Sequence, residues 1–480
     1  MELDGAAIER ILGEFEDVDL GDPRRTRRVL AFLAELAAHP DQTLPRLLQN
    51  DTALGGAYRL LNNENFDFDD LLEKHREQTI TRAEQVKDVL VLHDTTTCGF
   101  EHADPKEIGY LPTGKAGFLL HTGLVVDATH HRRPLGVLHV EALWRDKRSG
   151  RGSRKKHLNG RETANWKNRE AERWARGVQA CQEQLSDCSI VHVADREGDK
   201  YELFTHLQQH DERFVIRSSH DRRLSKEYGG QSLREIAHLQ PVVLQREVRL
   251  SRRVASSAPR SAQLAPSRQA RPATLSVKAA SVVLRRPNTL SADFPSTLAV
   301  NVVHVEEIKP TKGDTPIVWT LLTSEPIESP EQVARIIDIY RYRWLIEELY
   351  KALKTGCLFE QRQFETRHAL LNLVAICLPI AVELLWMRSR VADNPQGPAE
   401  EIVTPQQIEI LRVMGHRPVP ENPTALQVLL AIAGLGGHLK RNGSPGWHVL
   451  YRDYQLLLDY EAGWIAAMAA KRTMTKRRNL

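Results

Sequence analysis

Cysteine is scarce in this chain: five residues in 480 (Cys98, Cys181, Cys188, Cys357 and Cys377), none in a Cys-x-x-Cys pair. That excludes a disulfide scaffold and a cysteine-ligated zinc site, and reduced thiols in a cytosolic compartment are the expectation. No long uninterrupted apolar run is present either. The most apolar stretch, Leu370 to Trp386, is interrupted by Asn372, Pro379 and Glu383, so it reads as a core helix and not a membrane span. The opening MELDGAAIER is acidic and polar, unlike a signal peptide. Membrane and secreted classes are therefore not expected. Internal repeats are also lacking. At roughly 150 residues per domain, the length predicts about three domains.

Net charge is small, 66 Lys and Arg against 62 Asp and Glu, but it is unevenly spread. From Trp144 to Arg176 there are 12 cations and 4 acids. GDPRRTRR (21–28) sets four arginines in five positions, and Arg246 to Arg271 carries seven arginines against Glu247. The tail AKRTMTKRRNL has five cations and no acid. One such tract is as compatible with a solvated surface as with a partner. Four together are the footprint of a polyanion, and nucleic acid is the first candidate because each neutralised phosphate releases counterions.

The hydrophobic period changes along the chain. Residues 1–75 read as short helices broken by Asp-Pro, His-Pro and Gly-Gly. VLVLHDTTT (89–97), FLLHTGLVVDA (118–128) and PLGVLHVEALW (134–144) then read as three strands. A helix over Glu162–Leu185, a buried strand from Ser189, a helix over Tyr201–Gln209 and a strand over Arg213–Ser219 follow. That order suits an α/β domain with a mixed sheet. Residues 241–304 read as a β-rich insertion with a hairpin tip in the Ser/Ala/Pro/Arg stretch 252–274. IVWTLLTS (317–324) is another strand, and Pro330 opens a helix expected to run to about Lys354. The rest is expected to be helical.

Asp94 and Asp195 each close a hydrophobic strand. Ligand groups gather at the carboxyl ends of strands in open α/β sheets, although an aspartate there is also an ordinary turn former or cap. On the helix IYRYRWLIEELYKALKTG, a 100° step per residue puts Tyr340, Arg343, Glu347, Lys351 and Lys354 on one face, with Ile339, Ile346, Leu349 and Leu353 opposite. An amphipathic helix with ordinary Arg/Glu and Glu/Lys pairs has the same pattern. Asp94, Asp195 and Glu347 jointly make an oxygen-donor set for Mg²⁺ or Mn²⁺. Two such ions suit an in-line phosphoryl displacement, with Arg343, Lys351 and Lys354 on the remaining phosphate charge.

The motifs D-T-T at 94–96, D-R-E at 195–197 and Tyr340-x-x-Arg343-x-x-x-Glu347-x-x-x-x-x-x-Lys354 resemble the signature of bacterial DDE transposases. They are most similar to the insertion-sequence family that cuts the second strand through a DNA hairpin. GDPRRTRR, GGAYRLLNN (55–63), ERFVIRSSH (212–220), WTLLTSEPIES (319–329), IEELYKALKTG (346–356) and LGGHLKRNGSPGW (435–447) look like family segments in family order, nearly end to end. Residues 252–270 and 388–425 depart from the pattern.

The resemblance implies a helical end-binding domain over 1–75 and a ribonuclease-H-like catalytic core over 76–375, interrupted by the 241–304 insertion. A helical dimerisation and synapsis domain over 376–480 completes the expectation. It makes Asp94, Asp195 and Glu347 the catalytic, metal-binding triad, with Mg²⁺ (or Mn²⁺), two ions, as cofactor. Tyr340, Arg343 and Lys354 would hold terminal phosphates and a flipped nucleotide, and Trp319 would stack on the flipped base, although an aromatic in a strand is ordinarily core. Arg217 would contact the substrate strand, and Arg24, Arg25, Arg28 and Arg59 transposon-end DNA. The implied partners are double-stranded end DNA, target DNA and a second copy of the chain, in the bacterial cytoplasm. A plain metal-dependent nuclease and a catalytically silent DNA-binding relative are the alternatives.

Overall fold

A computed structural model describes residues 5–40, 42–48, 50–129, 133–146, 170, 172–250, 268–269, 271–311, 314–438 and parts of 453–468. The basic tail, most of the 144–176 tract, the tip of the insertion and the end of LGGHLKRNGSPGW lie outside the described residues.

The strands are β1 (Asp88–Gly99), β2 (Gly117–Asp127), β3 (Pro134–Leu143), β4 (Ser189–Ala194), β5 (Arg213–Arg217), β6 (Val242–Leu250), β7 (Arg271–Arg285), β8 (Thr297–Ile308) and β9 (Val318–Thr323). They hydrogen-bond in the order β3-β2-β1-β4-β5-β9-β8-β7-β6. The sheet is mixed, since β4 and β5 are parallel while β2–β3, β5–β9, β9–β8, β8–β7 and β7–β6 are antiparallel. This is the mixed α/β architecture that the sequence predicts, consistent with a ribonuclease-H-like core. The chain forms two compact units, one of Met1–Asp88, Thr95–Ala164 and Leu345–Leu480, the other of Val89–Asp94 and Asn165–Trp344.

In the first unit, the β2–β3 hairpin is buried and packs against the helices Phe68–Val86 and Arg367–Asp393. The approach is close at Gly136, where φ is +151° and a Cβ would sit 2.0 Å from Thr79 Oγ1, so only glycine fits. Arg367–Trp386 is long and apolar enough to cross a membrane, but 83% of that window is buried within the protein; it is a core helix, as its polar interruptions predict. Near the amino end, Asp22 caps the helix Pro23–Ala38, with Pro23 at its first position, and Asn50 caps Asp51–Leu61.

In the second unit, the helix Tyr201–Gln209 connects the parallel strands β4 and β5, as a parallel pair requires. Trp174, Phe204, Phe214, Leu284, Val302 and Leu322 form its buried centre. β6, β7 and most of β8 fall in the span 241–304 read as β-rich, and β8 continues past it to Ile308. Ser329 and Gln332 form a capping box on Pro330–Tyr342.

The helix expected to run unbroken to Lys354 is interrupted. Pro330–Tyr342 ends at Arg343, Trp344–Lys351 follows, and Ala352–Gly356 is a wider π turn. The Arg343 amide bonds the Tyr340 carbonyl three residues back at 3.1 Å, a tightened turn. Its φ and ψ of −50° and −30° stay near helical values. The apolar period therefore survives the break, and Ile339, Ile346, Leu349 and Leu353 are all buried.

Candidate active site

Asp94 and Asp195 both belong to the second unit, on or directly after the neighbouring strands β1 and β4. Nε2 of His93 lies 3.0 Å from Nδ1 of His192, joining the two strands just before the carboxylates. Burial drives the His192 pKa down to about 3, so this imidazole is neutral. Asp195 caps the short turn Arg196–Gly198 by accepting the Glu197 amide at 2.7 Å. Four residues on, buried Asp199 accepts hydrogen bonds from the amides of Ser219 and His220 at 2.7 and 2.9 Å and ion-pairs with Arg222. Burial pushes this carboxyl up, but Arg222 and the two amides outweigh it and hold the pKa below its ordinary value. The loop after Asp195 is thereby tied to the segment after β5.

Cations and aromatics collect beside the two acids. Arg343 Nη1 is 3.5 Å from Asp94 Oδ2, both side chains being largely shielded. Arg217, the last residue of β5, hydrogen-bonds Tyr340 and donates to the Val318 carbonyl at 3.1 Å. Burial lowers the Arg217 pKa from its ordinary value, and the neighbouring cations Arg196 and Arg343 act in the same direction. The Tyr340 hydroxyl is raised, first by burial and further by Asp195, with Arg343 and Arg217 opposing. It is therefore a neutral hydrogen-bonding group. Trp319, on β9, meets the Tyr340 ring edge-on at a centroid distance of 5.6 Å. It is half-exposed, while Tyr340 is buried, so Trp319 is not the core tryptophan that its place in a strand first suggests. Asp94, Asp195, Arg217, Tyr340 and Arg343 thus make one electrostatically coupled group, with Trp319 set edge-on against its tyrosine.

The other predicted residues lie in the first unit. Glu347 is half-buried on Trp344–Lys351. Lys351 is 2.7 Å from Glu348, which also pairs with Arg388. Lys354 donates to the Thr97 carbonyl and lies 3.2 Å from Glu360, which accepts the Gly99 amide at 2.9 Å. Arg24, Arg28 and Arg59 are exposed, whereas Arg25 is half-buried and donates to the Leu20 carbonyl at 2.8 Å. Asp199, Arg222 and the His93–His192 pair went unnoticed in the sequence. Only the acid in DREGD gave a local signal, and its partners are distant in the chain.

Residues 11–66 match the model of a transposase DNA-binding domain, a span that holds Arg24, Arg25, Arg28 and Arg59. Residues 119–381 match that of a transposase DDE domain, covering Asp195, Arg217, Trp319, Tyr340, Arg343, Glu347, Lys351 and Lys354, with Asp94 ahead of it. The second match covers more than half of the chain, and the protein is a DNA-binding transposase belonging to the DDE family.

Proposed function

We propose that this transposase carries out cut-and-paste transposition through a hairpin intermediate, with Asp94, Asp195 and Glu347 as its metal-binding catalytic residues. The observation that carries this reading is the clustering of Asp94, Asp195, Arg343, Arg217, Tyr340 and Trp319 within one unit. It combines carboxylates, arginine cations and a half-exposed aromatic ring.

DDE transposases generally use divalent metal ions, and the donor set here fits a hard one. The His93 and His192 rings are engaged with each other, which leaves carboxylate oxygens, the donors that Mg²⁺ and Mn²⁺ prefer. Two ions held by Asp94, Asp195 and Glu347 would supply charge stabilisation on the scissile phosphate and a lowered pKa for the attacking hydroxyl. Glu347 is assigned from its spacing, four residues after Arg343.

The protein's own groups position the DNA. Arg343 and Arg217 suit charge-assisted hydrogen bonds to phosphate oxygens, and the Tyr340 hydroxyl orients the Arg217 fork. Trp319 offers a face on which an extruded base stacks, worth about 1–3 kcal/mol against the cost of unstacking. Lys351 and Lys354 add cationic donors, and Arg24, Arg25, Arg28 and Arg59 would hold the transposon end, chiefly through phosphates. Hydrolysis at the end frees a 3′-hydroxyl, which attacks the opposite strand and closes a hairpin. Hydrolysis reopens it, and the same hydroxyl then displaces a phosphodiester oxygen in target DNA. Each step is one hydrolysis or one transesterification at a single phosphodiester bond, so positioning and charge suffice without a covalent enzyme intermediate. Two copies of the chain would pair two ends, in the bacterial cytoplasm.

Incubation of the protein with its own transposon-end DNA and Mg²⁺, scored for nick, hairpin and joined product, tests the proposal. Nicks without hairpin or joining would leave a plain nuclease, and binding without nicks a silent relative. Asp195→Ala is expected to abolish cleavage while DNA binding persists; unchanged cleavage would overturn the site.

A further inference from the structure

Away from the carboxylate cluster, His238, His304 and Glu306 bring ligand atoms to within 4.8 Å of one another. His304 and Glu306 are two apart on β8 and share a face of the sheet. Across the register, His304 pairs with Thr320 while Val305 pairs with Trp319. Successive side chains alternate, so this group lies on the sheet face opposite to Trp319. His238 comes from the last turn of the helix Leu233–Leu239, which packs on β7 and β8.

We propose that His238, His304 and Glu306 form a second metal site, for a zinc-like divalent transition ion, that clasps the helix Leu233–Leu239 to β8. The chemistry is a matter of donor type: two imidazoles and one carboxylate suit Zn²⁺, with water in the fourth position, and do not suit Mg²⁺. The geometry is close to what such an ion needs. Zinc bonds of about 2.0–2.2 Å place tetrahedral donors about 3.3–3.5 Å apart. His238 Nδ1 is 3.3 Å from Glu306 Oε2, and His304 Nε2 is 4.0 Å from the same oxygen. The remaining contraction falls to the Glu306 carboxylate, whose side chain is 40% exposed.

His304 is the pre-set ligand. It is buried, and its Nδ1 lies 3.1 Å from Thr320 Oγ1, which leaves Nε2 turned toward Glu306. Such an outer partner fixes ring orientation at metal sites. Burial, with His238, Lys278 and Arg234 adding to it against Glu306, lowers the pKa of this ring. Lys278 bonds the His238 carbonyl, and the Glu306 carboxylate offsets that cationic charge.

The test uses the full-length protein stripped of metal by a chelator and titrated with Co²⁺, then Zn²⁺. The expected result is an intense tetrahedral cobalt absorption saturating at one equivalent per chain and displaced by Zn²⁺. His238→Ala, at an exposed position, and Glu306→Gln, at a half-buried one, should each weaken binding at least tenfold. Asp94→Asn and Asp195→Asn should leave it unchanged, which separates this site from the carboxylate cluster. No tetrahedral band, or a band that survives in both the His238→Ala and Glu306→Gln variants or disappears with Asp94→Asn, would overturn the assignment.

Discussion

The Arg343 guanidinium lies 3.5 Å from the Asp94 carboxylate, so the cation proposed to hold a phosphate is positioned by an acid proposed to hold a metal. The pair orients the arginine fork before DNA arrives. A charge-assisted hydrogen bond from this arginine to a phosphate oxygen is worth about 1.5–3 kcal/mol. Arg343→Ala should therefore slow strand cleavage about 10- to 100-fold in single-turnover assays with pre-bound DNA. Arg343→Lys should recover only part, because an ammonium is a point charge and cannot make the paired contact. Full activity in Arg343→Ala would show that Arg343 serves only to pair Asp94.

The strands of this fold are legible because buried strands announce themselves by composition. VLVLH, FLLHTGLVV and SIVHVA are apolar runs bounded by turn residues, and each is a strand. Asp195 directly follows its strand as expected, but Asp94, which ends the apolar run VLVLH, sits inside β1, because the strand continues through the polar TTT to Gly99. The interrupted helix was not legible. Arg343 keeps near-helical dihedral angles, so the apolar period runs through the break without a mark. Asp199 and Arg222 were hidden by distance in sequence, as was the meeting of His238 with Glu306. Arg25 counts as one more cation in GDPRRTRR, yet it is committed to the Leu20 carbonyl, a distinction that composition does not carry.

Trp319 separates base stacking from core packing. Since the indole is half-exposed and touches Tyr340 edge-on, Trp319→Ala should leave the melting temperature within a few degrees of the parent. It should retain nicking but reduce hairpin formation by about 5- to 100-fold, the equivalent of 1–3 kcal/mol of lost stacking. Trp319→Phe should restore most of it. Equal loss of nicking and hairpin, accompanied by a large fall in melting temperature, would assign Trp319 to the core.

Asp199 and Arg222 should govern stability more than chemistry. Arg222→Met leaves a buried carboxylate with its two backbone amides and hydroxyl donors but without its cation. Breaking a buried pair in this way costs about 3–5 kcal/mol. At about 2–4 °C per kcal/mol for a unit of this size, calorimetry should show a fall of roughly 6–20 °C. The pH dependence follows from the lowered Asp199 pKa. A depressed carboxyl stabilises the fold above its unfolded value of about 3.9 and loses that contribution as pH falls through the folded value. The gap between parent and Arg222→Met should therefore be full at pH 7 and shrink below about pH 4.

Glu212 predicts the opposite sign. Its carboxyl is buried, with Oε2 3.9 Å from Nε2 of His206, and burial pushes its pKa up to about 7. Burial also lowers the His206 pKa, with His210 adding to the effect, so the nearest ring is no fixed cation. In the unfolded chain Glu212 ionises near pH 4.3. Folding therefore favours the protonated acid, and the fold is penalised progressively as pH rises from about 4.5 to 7. Glu212→Gln keeps the shape and removes the ionisation. Its melting temperature should match the parent at pH 4.5 and exceed it at pH 8, by a margin on the order of 2 kcal/mol once solvent screening is allowed for. A variant less stable than the parent at both pH values would mean that Glu212 is ionised in the fold and held by His206 as a charged pair.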